Sequence, residues 1–263
     1  MIEMTITTLQ SVDPMWVEAL LLLVLMGSIV GLYRVFGTAG LFVYIAVALM
    51  GANLQVLKVV QFEAFVSPVA LGTVLFCTTY LCTDILAEFH GRKTAQRAVW
   101  LGFSAMLLWT IIAVVTLGYA PLTPEQAGDG YGGALGTHDN MAALFTPLPA
   151  FFIAGMAAYL VSQSHDIWLY GLLNRFFDGR HLWLRNNCST AISGLIDNAV
   201  FSFIAFSLLA DQPVPAGELI FTYILGTYII RLTVAMLDTP FLYLIRWLDG
   251  QERSAPPSVL ETA

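Results

Sequence analysis

The stretch WVEALLLLVLMGSIVGLYRV, residues 16 to 35, carries one acid near its start, one arginine near its end and an apolar run between them. A helix of about twenty residues rises about 30 Å, the thickness of a bilayer's hydrocarbon core. Glu3, Asp13 and Glu18 precede or open the run and no Lys or Arg does. It therefore lacks the basic leader of a cleaved signal peptide and is expected to remain as a first membrane span. Comparable apolar runs follow at about 39–60, 68–89, 96–119, 147–173, 188–210 and 218–248, which makes seven. Pro68, Pro147 and Pro215 stand near the starts of the third, fifth and seventh, where a missing N–H costs little.

The whole chain shares this balance. Of 263 residues, 58% are hydrophobic and 11% charged, and the mean hydropathy of +0.76 is not that of a soluble protein. Seven spans of roughly 20 residues take about 140, leaving short loops and no room for a sizeable soluble domain. The expected architecture is an all-α polytopic helix bundle, with a single transmembrane domain over 1–250 and a disordered tail over 251–263. A net charge of −7 with only 11 Lys and Arg excludes a nucleic-acid surface. Cys77, Cys82 and Cys188 lie in apolar stretches without CxxC spacing, so neither a disulfide framework nor a metal centre is expected, and no cofactor.

Orientation follows from the basic residues, which cytoplasmic loops retain. Arg34 follows span one; Arg92, Lys93 and Arg97 separate spans three and four; Arg175, Arg180 and Arg185 separate five and six; Arg246 and Arg253 follow seven. The alternate loops, including the long one over 120–146, hold Glu125, Asp129, Asp139, Asp211 and Glu218 and no Lys or Arg. The N-terminus is expected outside and the C-terminus inside. The GDGYGG stretch at 128–133 neither follows a strand nor ends in Gly-Lys-Ser/Thr, so it reads as an external loop rather than a phosphate loop.

Two basic residues, Lys58 and Arg231, fall inside apolar runs instead, as do Asp84, Glu88, Asp166, Asp197 and Asp238. Intramembrane charges are costly, and they pair, face water or line a pathway. Counting from the expected helix ends places Asn53, Asp197 and Arg231 nearest the midplane. Asp84, Glu88, Asp166 and Asp238 fall toward the cytoplasmic rim, where Glu88 can sit in headgroups, and Lys58 lies toward the outside, where it can snorkel. Tyr80, Asp84, Glu88 and Arg92 recur every fourth residue, a stripe able to line a cavity and to end in a rim salt bridge. Ser162, Asp166, Tyr170 and Ser193, Asp197, Phe201 repeat one spacing in spans five and six, by duplication or by coincidence.

Several functions are excluded by what is missing. A retinal Schiff base needs a Lys in the last span, and Arg231 stays protonated there. Intramembrane hydrolase signatures (GxSG with a partnered His, HExxH, GxGD) are absent. His165 adjoins Asp166 in sequence, so the two point to different faces of a helix; it reads as interfacial, like His90, His138 and His181. The charges are mixed in sign and unique in position, unlike a channel's symmetric rings. A carrier with one asymmetric organic site, not an enzyme, fits them best.

The residues themselves resemble a known family. LFCTTYLCTDILAEFHGRKTAQRAVWLGF, 75–103, is similar to the signature of the queuosine precursor transporters, with Asp84, Glu88, Gly91, Ala95 and Arg97 in matching positions. Asn53, Lys58 and Gly72 match upstream. YLVSQSHDIWLYGLL supplies Ser162, Gln163 and Asp166; RNNCSTAISGLIDNAVFSFIAF supplies Arg185, Ser189, Ser193, Asp197, Phe201 and Phe206; YIIRLTVAMLDTPFLYL resembles the closing helix. The likeness runs from about 50 to 248. This chain departs from it at Gln96, where many relatives have Arg, at Gly194, where Gln is common, and at Arg231, where Lys is usual.

The resemblance implies a multi-pass protein of the cytoplasmic membrane that imports 7-deazaguanine precursors of queuosine for tRNA modification. Its substrate-binding residues are then Asn53, Lys58, Asp84, Glu88, Gln163, Asp166, Asp197 and Arg231. A carboxylate accepts the adjacent N1–H and amino donors of a guanine-like ring, while O6, and in guanine itself N7, accept from amide or basic side chains. Tyr80, Phe201, Phe206, Tyr223 and Tyr228 are candidates to stack on it, and Asp84 or Glu88 to hold the cation of an aminomethyl arm. Movement is either proton-coupled through a buried carboxylate or simply facilitated. The alternative is a substrate-binding subunit of an energised uptake system. Gly27 and Gly31 form a small-residue face in span one, for a partner helix, for a second copy in a homodimer, or for plain packing. Partners otherwise are the 7-deazapurine and membrane lipid.

Overall fold

A computed structural model of the chain describes residues 1–63, 69–128, 130–146, 148–210 and 212–254. Among them are seven long helices: α1 Pro14–Phe36, α2 Thr38–Gln55, α3 Thr73–Phe89, α4 Arg92–Leu117, α5 Leu148–Phe176, α6 Leu182–Phe203 and α7 Thr227–Ser254. The fold is an all-α polytopic bundle, as expected. Five helical stretches are long and apolar enough to cross a membrane: α1, α2, α4, α6 with its extension to Leu208, and the stretch Ala216–Leu248. α3 and α5 carry the buried carboxylates Asp84 and Asp166, and α6 and α7 the other buried charges, Arg185, Asp197 and Asp238. α3 is buried almost continuously from Val74 to Leu86, enclosed by α2, α4, α5 and α7.

Local signals set the joints. The Asp13 side chain accepts from Met15 N at 2.7 Å and Pro14 opens α1, the usual economy of a capped N-terminus. Gly37 links α1 to α2 at φ +58°. A short helix, Ile2–Gln10, lies exposed before α1. Beyond α2, Val59–Val60 pairs antiparallel with Val69–Ala70. Gly72 then turns into α3 at φ +97°, where a Cβ would lie 2.6 Å from Ala52 O, so only glycine fits. A further tight approach occurs at Gly102, where a Cβ would meet the Tyr159 hydroxyl at 2.6 Å.

Three boundaries differ from expectation. α2 ends at Gln55 rather than near 60, so Lys58 stands exposed on the hairpin. α3 begins at Thr73, after the left-handed Gly72, rather than at 68. α6 begins at Leu182 rather than 188, which moves Arg185 from a loop into the helix, where it is fully buried. Span six also ends in a π-helical turn, Ile204–Leu208, and the last span opens with another, Leu219–Gly226. Asn198 Nδ2 of α6 ties down the second, donating to Ile224 O at 3.1 Å and to Thr227 Oγ1 of α7 at 2.9 Å. α7 carries Pro240 internally and continues through Ser254. Of the features expected from sequence, Pro68, Asp129, Pro147, Asp211 and the tail from 255 to 263 lie outside the described residues.

Candidate functional site

Two arginines reach into the bundle, Arg185 fully buried and Arg231 13% exposed at its side chain, and their surroundings differ sharply. Arg185 Nε donates to Arg180 O at 3.1 Å, Nη1 to Glu88 Oε2 at 2.9 Å and to Asn174 Oδ1, and Nη2 to Glu88 Oε1 at 3.1 Å and Gly179 O at 3.3 Å. A guanidinium has five N–H donors, and here all are used. Tyr170 adds a bond from its hydroxyl to Glu88 Oε2 at 2.8 Å and a ring 5.2 Å from the guanidinium carbon. The expected rim salt bridge from Glu88 therefore forms to Arg185 and not along the stripe to Arg92. Gly91, at φ +83°, ends the helical path and carries Arg92 into the start of α4.

Arg231 is not satisfied in this way. Its Nη2 lies 2.5 Å from Asp197 Oδ2, while Nε and Nη1 are buried without a hydrogen-bond partner. The guanidinium carbon stands 5.1 Å from the centroid of Phe76, within cation–π range. The other Asp197 oxygen accepts from Ser162 Oγ at 2.9 Å. Tyr80 lies beside this group, its hydroxyl enclosed without a hydrogen bond. Gly194 opens space against it: a Cβ there would lie 3.7 Å from Arg231 Cδ and 4.0 Å from the Tyr228 ring. Tyr228 itself donates to Ala191 O at 2.9 Å.

The repeated Ser and Asp of spans five and six meet across one antiparallel seam. Ser162 bonds to Asp197, and one turn away Asp166 faces Ser189 and Ser193. None of these gives Asp166 a well-formed hydrogen bond, because Ser189 donates to Asn186 O and Ser193 Oγ engages His165 Nδ1 at 2.9 Å. Asp166 also faces Asp84 across α3 and α5. Gln163 is held by α3: Oε1 accepts from Thr83 and Nε2 donates to Thr79, both at 2.9 Å.

The residues singled out in the sequence thus fall in different places. Asp197 of α6 and Arg231 of α7 form one centre, with Gln163 and Asp166 on the neighbouring α5 and Asp84 on α3. Glu88 belongs to the Arg185 cluster. Lys58 is exposed, and Asn53 lines a separate cavity of about 170 Å³ with Trp109, Phe145 and Phe152. Asn53 Nδ2 donates to Leu49 O at 2.9 Å. Phe201, Phe206 and Tyr223 gather at the π turns, the last two rings 4.4 Å apart. Sequence reasoning missed Phe76, whose position one turn before Tyr80 was the available signal, and Asn186.

A multi-pass helix bundle whose interior holds paired and unpaired charges has the build of a membrane carrier. Residues 70–245 match the family model described as "Putative vitamin uptake transporter". The chain is also 34% identical over 225 residues to the "Probable queuosine precursor transporter" of Bacillus subtilis (strain 168), covering 85% of this chain and 91% of that protein. No solved structure matches. The chain belongs to this vitamin-uptake-type transporter family and is a multi-pass protein of the cytoplasmic membrane.

Proposed function

We propose that the chain carries a 7-deazaguanine precursor of queuosine inward across the membrane, binding it without chemical change at Asp197 and Arg231. One observation carries this: of the two arginines inside the bundle, Arg185 is saturated and Arg231 keeps enclosed Nε and Nη1 without a partner beside a carboxylate. Leaving buried donors unpaired is expensive unless a ligand completes them. O6 of a 7-deazaguanine, whose position 7 is carbon and accepts nothing, is an acceptor suited to one of those open donors. A carboxylate has about four lone-pair sites, so Asp197 can keep Ser162 and Arg231 and still accept from the base's donor edge. Phe76, Tyr80 and Tyr228 flank the centre as stacking surfaces.

Among the other candidate residues, Gln163 and Asn53 are proposed along the path to this centre, and Lys58 at its outer approach. Glu88 acts by fixing the inner end. The name of the Bacillus protein supports the choice of substrate class, and the family supports transport rather than catalysis. Proteoliposomes containing only this chain are expected to take up labelled 7-deazaguanine and its 7-aminomethyl derivative and to return them unaltered. Binding without transport in those vesicles points instead to a subunit of an energised system, and a changed product to an enzyme.

A further inference from the structure

Five carboxylates, Asp84, Glu88, Asp166, Asp197 and Asp238, sit within the bundle, and two guanidiniums accompany them. Arg185 takes Glu88 and Arg231 takes Asp197. Asp84, Asp166 and Asp238 are left without an ion pair among the described residues, each at most 1% exposed. They come from α3, α5 and α7 and face one another.

α6 completes the enclosure. Asn186 Nδ2 donates to Asp238 Oδ1 at 3.0 Å, Thr190 Oγ1 lies 3.4 Å from Asp84 Oδ2, and Ser189 and Ser193 flank Asp166. Cys77, Tyr80, Cys82 and Tyr170 are the neighbouring weak acids, and Arg185 at the inner end and Arg231 at the other each already hold a carboxylate. Four acceptors in this place are buried without a donor: Asp84 Oδ1, both oxygens of Asp166, and the oxygen of the Asn186 amide whose nitrogen holds Asp238. Asn186 is not an acid, and its orphaned oxygen marks the same lack of hydrogen from an independent side chain. Such an arrangement is stable only when something that binds there brings hydrogen.

The geometry favours a proton. Asp84 Oδ1 and both Asp166 oxygens are buried with no donor to answer them, a position a carboxyl holds most cheaply in its neutral, protonated form. Among the described residues no three acidic, imidazole or thiol side chains converge as metal ligands do. An access route is present as well: His165 is half-buried, its Nδ1 reaches Ser193, and Ser193 flanks Asp166. The route adjoins the base site, because Ser162 and Asp197 meet one turn along the same α5/α6 seam.

We propose that Asp84, Asp166 and Asp238 form a proton-carrying site, distinct from the Asp197–Arg231 centre, reached through His165 and Ser193 and loaded and emptied in step with substrate. This rests on reading the chain as a carrier of a 7-deazaguanine base. One proton enters from outside, resides on a carboxyl and leaves to the cytoplasm; nothing is oxidised or reduced.

The test uses the full chain in proteoliposomes enclosing a pH dye. With the outside one pH unit more acid, one proton per substrate supports up to about tenfold accumulation of labelled 7-deazaguanine, with acidification of the lumen. Asp238→Asn is expected to lose that accumulation while base-for-base exchange remains measurable. Wild-type uptake without proton movement, or undiminished gradient-driven accumulation in both Asp238→Asn and Asp166→Asn, overturns the proposal. A second measurement needs no substrate: infrared spectra of the purified protein at neutral pH should show a protonated-carboxyl C=O band that weakens in Asp84→Asn and in Asp166→Asn. Absence of that band in the wild type overturns the site. If the wild type neither binds nor moves the base, the functional reading fails, and the infrared result still decides the proton site. Loss of the band on adding the 7-aminomethyl base, but not 7-deazaguanine, assigns the cluster to the ligand's ammonium and overturns it too.

Discussion

Asp197 makes two bonds in the free protein, to Ser162 and to Arg231, and these set what a substitution there does. Asp197→Asn keeps the size of the side chain but replaces an acceptor with an NH₂ that faces another donor. A charge-assisted pair is lost and a mismatch is added, at about 2 to 4 kcal/mol or roughly 30- to 1000-fold in affinity for 7-deazaguanine. The same NH₂ suits a 2-carbonyl analogue, whose relative affinity is expected to rise. Competition binding with both ligands on purified wild type and Asp197→Asn checks this. Equal loss for the two ligands assigns Asp197 to holding Arg231 rather than to reading the base. The neighbouring Gly194 suits the longer Arg231 in the same way: a Cβ there already meets Arg231 Cδ at van der Waals distance.

At the scale of elements, the Glu88–Arg185 cluster ties the end of α3 to the start of α6, with Tyr170 and Asn174 of α5 beside it. Truncating one partner of a buried pair leaves the other uncompensated, a loss of about 3 to 5 kcal/mol when both are enclosed. The Glu88 side chain is 15% exposed, so Glu88→Ala is expected at about 3 kcal/mol, the low end of that range. Lys58→Ala, on an exposed side chain, should stay within about 0.5 kcal/mol. Unfolding of both variants in detergent measures the contrast; equal losses remove the distinction between pin and surface charge. Elements were largely legible in the sequence because apolar length decides them: the first run, 16–35, became Pro14–Phe36. Arg185 was the instructive exception. By residue type it belonged in a loop, and only the arrival of Glu88, 97 residues away in sequence, beside the nearby Asn174 and two turn carbonyls makes its burial tolerable. The second π stretch was illegible for a related reason, since its Ile224 carbonyl is answered by Asn198 from α6. Within the site, the charges themselves were legible, but which of them pair was not, because pairing depends on the register between helices.

Across the whole molecule the charges separate by end. Tyr33 Oη lies 3.0 Å from His90 Nε2, joining the ends of α1 and α3, and Arg185 joins the start of α6 to the end of α3. Arg246 on α7 faces Glu88 at that same end. Arg34 in the last turn of α1, Arg92, Lys93 and Arg97 at the start of α4, and Arg175 in the last turn of α5 belong to these joints. Glu125, Asp139 and Glu218 lie on the connections at the other ends of the helices. Since basic ends are retained in the cytoplasm, the end bearing Arg185 is proposed to face inward and the 120–146 connection outward. Gly130, Lys93 and Arg180 are all exposed, so a cysteine at each reports its side. In a background with Cys188, the half-buried native thiol, replaced by Ser, an impermeant maleimide should label Gly130→Cys in intact cells. It should reach Lys93→Cys and Arg180→Cys only after permeabilisation. Labelling of all three from one side rules out the seven-crossing path and, with it, the placement of Asp197 and Arg231 between two aqueous faces.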